Sequence, residues 1–200
     1  MPLIPLFPLE LVLFPGAPLP LHIFEPRYKE MISECLEQKK PFGMVRIKES
    51  SLSPVGCSAI VMNVIKKYED GRLDIAAEGF QRFEIIQLNQ ERSFLQGEIT
   101  YFDDDPSTVG KDAAEEVVKL HEQLFAILGQ TVETNPEAGP LSFQLAHQLP
   151  VDLDFKQTLL EMKSEAERIE TLTEYYKATI PKIGKTLQAR ERASGNGHVH

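Results

Sequence analysis

Apolar residues change their spacing three times along the 200-residue chain, and each change marks a different kind of element. Up to Pro26, Leu, Ile, Val and Phe are interleaved with seven of the chain's 14 prolines. Proline fixes φ and has no N–H for a ladder, so this stretch predicts short or edge strands. Extended pieces are expected at Leu3–Phe7 and Leu11–Phe14, with a turn at Pro15-Gly16. Glu25-Pro26-Arg27-Tyr28 then opens a helix, because a missing N–H does no harm in a first turn. Tyr28, Met31, Ile32, Cys35 and Leu36 give that helix one apolar face. From Phe42 to Phe102 the period falls to two. Strands are predicted at Phe42–Lys48, Ala59–Tyr68, Arg72–Ala77, Arg82–Leu88 and Leu95–Tyr101, with Asp70-Gly71 as a tight hairpin turn. Residues 1–102 therefore read as a small closed or half-closed β-barrel with one early helix.

Asp103-Asp104-Asp105-Pro106 is expected to be a solvated acidic linker over 103–106, and after it the strand pattern stops. Ser107–Leu128 carries Val117, Leu120, Leu124, Phe125 and Leu128 on one helical stripe. A loop at Thr134–Pro140 leads to a short helix, Leu141–Leu149, which Pro150 ends. Asp152 stands where an N-cap for Leu153–Met162 belongs. Ser164 and Glu167 form a capping-box pattern ahead of a last long helix, with the seam Ile169, Leu172, Tyr176, Ile180, Ile183 and Leu187 and a kink expected at Pro181. Residues 107–193 thus predict a bundle of about four helices, and 194–200 a frayed tail, giving an α+β chain overall.

Charge narrows what such a chain does. The formal net charge is −9, with 11 basic and 13 acidic residues in 1–100 (net −2) and 10 and 17 in 101–200 (net −7). Phosphate neutralisation by Lys and Arg supplies most non-specific nucleic-acid affinity, so no nucleic-acid partner is expected. The longest uncharged run near the start, Leu11 to Phe24, has 14 residues and three prolines, which predicts no membrane span and no signal peptide. The two cysteines, Cys35 and Cys57, lack metal-site or disulfide-framework spacing, so a cytoplasmic setting is the economical expectation.

Catalytic and cofactor patterns fail one by one. Gly184-Lys185-Thr186 lacks the glycine that a phosphate loop places five residues earlier, where Thr179 stands, and no strand precedes it. His22, His121, His147, His198 and His200 contain no helical metal pair, and no nucleophile elbow or activated cysteine occurs. Asp103–Asp105 lacks the ligand alternation of a calcium loop. No cofactor, no metal and no catalysis are therefore expected. The densest mixture of ring, acid and base is His22-Ile23-Phe24-Glu25-Pro26-Arg27-Tyr28. It reads either as a recognition surface or as helix initiation, with Glu25 near the positive helix end and Tyr28 inward.

The order of motifs carries a resemblance. Pro5-Leu6-Phe7-Pro8-Leu9, Leu13-Phe14-Pro15-Gly16 and Pro20-Leu21-His22-Ile23-Phe24-Glu25-Pro26-Arg27-Tyr28 closely resemble the opening of the Lon protease N-terminal domain family. Asp70-Gly71-Arg72, Gly79-Phe80-Gln81-Arg82-Phe83, Leu145-Ala146-His147-Gln148-Leu149-Pro150 and Lys156-Gln157-Thr158-Leu159-Leu160-Glu161 look like the same family in the same order, over about residues 2–192. The resemblance implies a PUA-like β pseudo-barrel followed by a helical bundle, and a role in substrate recognition. In full-length Lon the domain precedes ATPase and protease domains, and a related β-rich portion occurs in cereblon. This chain resembles a free-standing form, so ATP hydrolysis and proteolysis are not carried over.

The expected function is a non-enzymatic polypeptide-recognition or adaptor module. Its partners are unfolded or extended polypeptides, with an ATP-dependent protease as a further partner, and it is expected to act as a monomer or weak dimer. Candidate contacts, chosen by motif position and chemistry, are His22, Phe24, Glu25 and Arg27 together with Phe80, Arg82 and Phe83. The alternative is a regulatory subunit docking through its long C-terminal helix. An RNA-binding PUA-like module is disfavoured by the first half's charge balance.

Overall fold

β1 (Leu3–Leu9) pairs antiparallel with β7 (Gln96–Tyr101) and parallel with β3 (Phe42–Lys48). That second pairing closes the sheet. β7 continues to β6 (Leu73–Asn89), β6 to β5 (Val55–Lys67) and β5 to β3, so these five strands form a ring. β2 (Pro18–Ile23) pairs with β6 outside the ring, and the two-residue β4 (Ser51–Leu52) with β3. A parallel pair needs a crossover, and here β2 and α1 (Pro26–Gln38) supply it between β1 and β3. The computed structural model describes residues 1–106, 108–135 and 139–195, the stretch 187–195 as backbone alone.

The ring is narrow enough to be filled by a few side chains. Ile4, Leu6, Val45, Phe83 and Ile99 form its interior cluster, with Leu6, Val45, Phe83 and Ile99 fully buried. Small residues make the room: a Cβ on Gly56 of β5 would stand 2.6 Å from the Phe83 ring. Large side chains opposite glycine are how a small barrel packs without voids.

Sequence periodicity predicts two strands over 72–88, but β6 is one strand of 17 residues. The alternation lapses at Glu78–Gln81 because of a bulge: Arg82 pairs with Cys57 and Gly79 with Ala59, leaving Phe80 and Gln81 opposite Ser58. The Ser58 hydroxyl donates to the Gln81 carbonyl (3.0 Å) and accepts from the Gln81 N–H (3.2 Å), which fastens the bulge. Gly79 is required there. The backbone of Phe14 passes so close that a Cβ would fall 2.1 Å from its carbonyl oxygen. Leu11–Phe14, predicted as extended strand, is irregular chain instead; Val12, Leu13 and Phe14 are buried, and the Phe14 ring stacks on Phe143 at 5.4 Å.

The helices are α2 (Lys111–Ile127), α3 (Leu141–Gln148), α4 (Leu153–Glu161) and α5 (Glu165–Gly195). α2 starts four residues later than its apolar stripe predicts, with Gly110 at the N-cap position; Ser107 lies outside the described residues. Asp152 caps α4 as expected, accepting from the Phe155 N–H at 2.9 Å, and Ser164 accepts from the Glu167 N–H at 3.3 Å. Gly184-Lys185-Thr186 lies within α5. The α5 seam is directed inward: Ile169, Leu172, Tyr176 and Ile180 are buried and Ile183 packs against the same core. A surface for docking through this seam is therefore absent from 169 to 180, because the bundle itself covers it. Leu187 and the end of the tail lie outside the described side chains.

One hydrophobic cluster runs from barrel to bundle, joining Phe7, Phe14, Tyr28, Ile32 and Ile75 to Leu124, Phe143, Leu160, Leu172 and Tyr176. A buried polar clamp crosses the same boundary. Arg168, fully buried, uses every N–H of its guanidinium: Nε donates to Ser142 Oγ (2.7 Å), Nη1 to Asp104 Oδ1 and the Met162 carbonyl (both 2.8 Å), and Nη2 to Glu165 (2.7 Å) and to Asp104 Oδ2. Arg82 of β6 donates to the Leu160 (2.9 Å) and Met162 (2.5 Å) carbonyls and to the same Asp104. Asp104 is thus no solvated linker residue: two guanidiniums hold it at the seam.

Candidate functional site

The corner where β2 meets α1 gathers four of the seven residues that motif position singles out. His22, Phe24 and Arg27 are exposed there, Phe24 by 58%, and Glu25 is half-buried beside them. Glu25 is the N-cap residue of α1 yet makes no side-chain capping bond; its carboxylate accepts from Arg27 Nε at 2.9 Å instead. The Arg27 guanidinium lies 4.5 Å over the Tyr28 ring, and Tyr28 is buried. His22 stands beside the β5–β6 hairpin, its Nδ1 2.5 Å from Asp74 Oδ1, while the Tyr68 hydroxyl donates to Asp74 Oδ2 at 2.8 Å. These two hydrogen bonds, His22 first, hold the Asp74 carboxyl below its ordinary range. The corner is a surface network whose polar groups satisfy one another.

The other three residues go elsewhere. Along β6, Phe80 is six positions beyond His22's partner Asp74, about 20 Å at 3.3 Å per residue. It is 59% exposed and borders a cleft of about 260 Å³ between barrel and bundle, lined also by Pro15, Phe102, Pro140 and Phe143. Arg82 and Phe83, taken from sequence as candidate contacts, are buried at 3% and 0%. Phe83 points into the barrel because that interior needs a large ring opposite glycine. Arg82 is turned toward the helices, where burial pulls its pKa down against the raising influence of Asp104. Neither side chain is open to a partner in this arrangement, and the seven residues do not share one groove.

Motif reading passed over a third surface. β5 has 13 residues, but its pairing with β3 ends at Phe42↔Ala59. From Ile60 onward β5 is bonded to β6 alone, and no described strand lies on its other side. Ile60, Met62 and Val64 stand out from this edge at 38%, 62% and 41% exposure, with Ile65 at 63%. Beside them the end of α1 leaves a groove of about 320 Å³ between Leu36, Lys39 and Lys40 and the β5 residues Ile60 and Val61. The signal was present in sequence as a run without a single charge from Ser51 to Ile65. Its meaning depended on strand lengths that only pairing reveals.

The two cysteine thiols are held in the protonated form. Burial pushes the Cys35 thiol up to about 11 and the Cys57 thiol up to about 12, and both cysteines are free. Among the described residues no cluster of His, Cys, Asp or Glu has the arrangement of a metal site, and no helix is long and apolar enough to cross a membrane.

Residues 3–178 match the ATP-dependent protease La (LON) substrate-binding domain family. The chain belongs to this family. Its relatives include Lon protease 1 of Hydrogenovibrio crunogenus, 24% identical over 178 residues, and the Lon protease of Anaeromyxobacter dehalogenans, 28% identical over 190. The alignments cover 80% and 86% of this chain but only 22% of each relative. Two solved structures share the fold of this Lon substrate-binding domain. The Lon N-terminal domain protein from Xanthomonas campestris superposes with a TM-score of 0.71 at 23% identity, covering 88% of this chain and 99% of that one. The N-terminal domain of Mycobacterium avium complex Lon protease gives 0.64 at 15% identity, covering 88% and 98%.

Proposed function

We propose that this Lon substrate-binding domain is a non-enzymatic recognition module that holds unfolded or extended polypeptides by shape and apolar contact. One observation carries the reading: within a domain of this family, the β5 edge presents Ile60, Met62, Val64 and Ile65 to solvent. Adjacent exposed apolar side chains on a chain of net charge −9 mark a surface for a partner rather than a solvated face. Phe24 and Phe80 offer smaller apolar contacts at the α1 corner and the junction cleft. An ATP-dependent protease is the machine to which a client held this way would pass. A cytoplasmic, reducing setting suits two buried free thiols.

The test is a titration of a fluorescently labelled, permanently unfolded protein with the purified chain, without nucleotide. Saturable binding is expected, weakened about tenfold by Met62→Lys combined with Val64→Lys, since each removes an exposed apolar contact without disturbing the core. Absence of saturation at high micromolar concentrations would refute the reading.

A further inference from the structure

We propose that the free edge of β5 receives its partner as an added β-strand, and that the preferred segment is an apolar stretch flanked by acidic residues. This rests on the polypeptide-binding reading above and names its geometry and client chemistry.

The sheet leaves two long edges, and they differ in kind. β2 is unpaired on the side away from β6, but Pro18 and Pro20 remove donors from it, which blunts it against another strand. β5 from Ile60 to Ile65 contains neither proline nor charge, so no residue whose backbone it turns away from β6 lacks a donor. Met62 and Ile65 are the extra residues of two bulges against β6, so an added strand gains ladder hydrogen bonds over the short runs between them, while Ile60, Met62, Val64 and Ile65 offer it exposed apolar contacts.

Charge selects among such segments. Lys39 and Lys40 stand beside Ile60 at one end of the open stretch, and Lys66 and Lys67 follow Ile65 at the other. All four are exposed, and Lys39, Lys40 and Lys67 have no ion-pair partner among the described residues. Glu78 faces Ile60 across the ladder and Asp74 faces and partly offsets Lys66, so Lys39 and Lys40 at one end and Lys67 at the other carry the selecting charge. A client with carboxylates at both ends of its apolar stretch meets lysines at both ends. A second copy of this chain does not. Antiparallel β5–β5 pairing centred between Met62 and Asn63 would bring Lys66 of one copy opposite Ala59 of the other, next to Lys39 and Lys40, and like charges so placed repel.

Fluorescence anisotropy with the full chain at about 50 mM salt, where exposed charges are least screened, tests this. The probes are a six-residue β-forming apolar peptide with two glutamates at each end, the same core with lysines, and the glutamate peptide N-methylated at alternate residues. The glutamate peptide is expected to bind about tenfold more tightly than the lysine peptide, a preference that Lys39→Glu, Lys40→Glu and Lys67→Glu together reverse. N-methylation is expected to weaken it about tenfold, since it removes ladder donors without removing apolar surface. Equal binding of the two charge forms, or full binding of the methylated peptide, overturns the inference. If the labelled unfolded protein still titrates, the broader reading survives that failure. A dimer in sedimentation that Met62→Lys dissociates would also overturn it, by making a second copy the occupant.

Discussion

His121 shows how one buried polar side chain sets a pH response. The Gln148 amide is oriented by its Nε2–H donating to the Glu133 carbonyl at 3.1 Å, so its Oε1 faces His121 Nε2, also at 3.1 Å, and accepts from it. Nδ1 must then accept from the Tyr176 hydroxyl at 2.7 Å. The ring is held neutral with its proton on Nε2, and a second proton on Nδ1 would displace the tyrosine's. Burial accordingly lowers the His121 pKa from its ordinary 6.5, and burial lowers His147 as well. Below that ordinary value the unfolded chain takes up protons that the folded chain refuses. Stability is thus fully present above pH ~6.5 and falls as the pH drops beneath it. Urea midpoints measured from about pH 7 to about pH 5 should decline, and His121→Gln should make the decline shallower while His147 sustains the remainder. At this scale the sequence exposed types but not partners. His121 showed no metal pair in sequence, but not that Tyr176 and Gln148 would enclose it, and Arg82 and Phe83 read as surface contacts, because nothing local records which neighbours enclose a side chain.

β6 illustrates the corresponding point for elements. Loss of alternation at Glu78–Gln81 read as a strand break, yet the chain runs on through a bulge that Ser58, over twenty residues away in sequence, holds in place. The glycine within it answers to the Phe14 backbone, not to a turn. Gly79→Ala should therefore destabilise the protein by about 1–3 kcal/mol, because backbone must move to admit the methyl group. Gly184→Ala is the contrasting case. That glycine lies within α5 with nothing within 4 Å of an added Cβ, so the change should stabilise by about 0.5–1 kcal/mol through helix propensity. Thermal or urea unfolding of both variants checks the opposite signs. Unchanged or raised stability in Gly79→Ala would mean that the Phe14–Gly79 approach is not a constraint on folding.

Over the full chain, barrel and bundle are held by one apolar cluster and by the Arg82–Asp104–Arg168 clamp, supported elsewhere by Arg46 donating to the Leu153 carbonyl and pairing with Asp154. Asp104 and Glu165 raise the Arg168 pKa against the opposing effect of burial, which is the largest single influence. Removing Arg168 leaves the partly buried Glu165 without its cation and Asp104 with Arg82 alone, so Arg168→Ala should cost about 3–5 kcal/mol. Because the clamp serves both parts, near-ultraviolet and far-ultraviolet dichroism should shift together to lower denaturant rather than separate into two transitions. Separate transitions would show that the barrel and the helices fold independently.

Periodicity, capping residues and proline placement are local, so the chain's linear order was enough to reveal the early helix, the two-residue-period strands, the later helices and the kinship to Lon substrate-binding domains. Three matters remained beyond it: which charges are buried together, which strand outlasts its neighbour, and where one strand bulges. Arg82, Asp104 and Arg168 become a single group only when the sheet and the bundle close on each other. The open edge of β5 exists only because β3 stops short of it. Charge neutralisation and ladder pairing join residues far apart along the chain, and distance along the chain carries no record of such meetings.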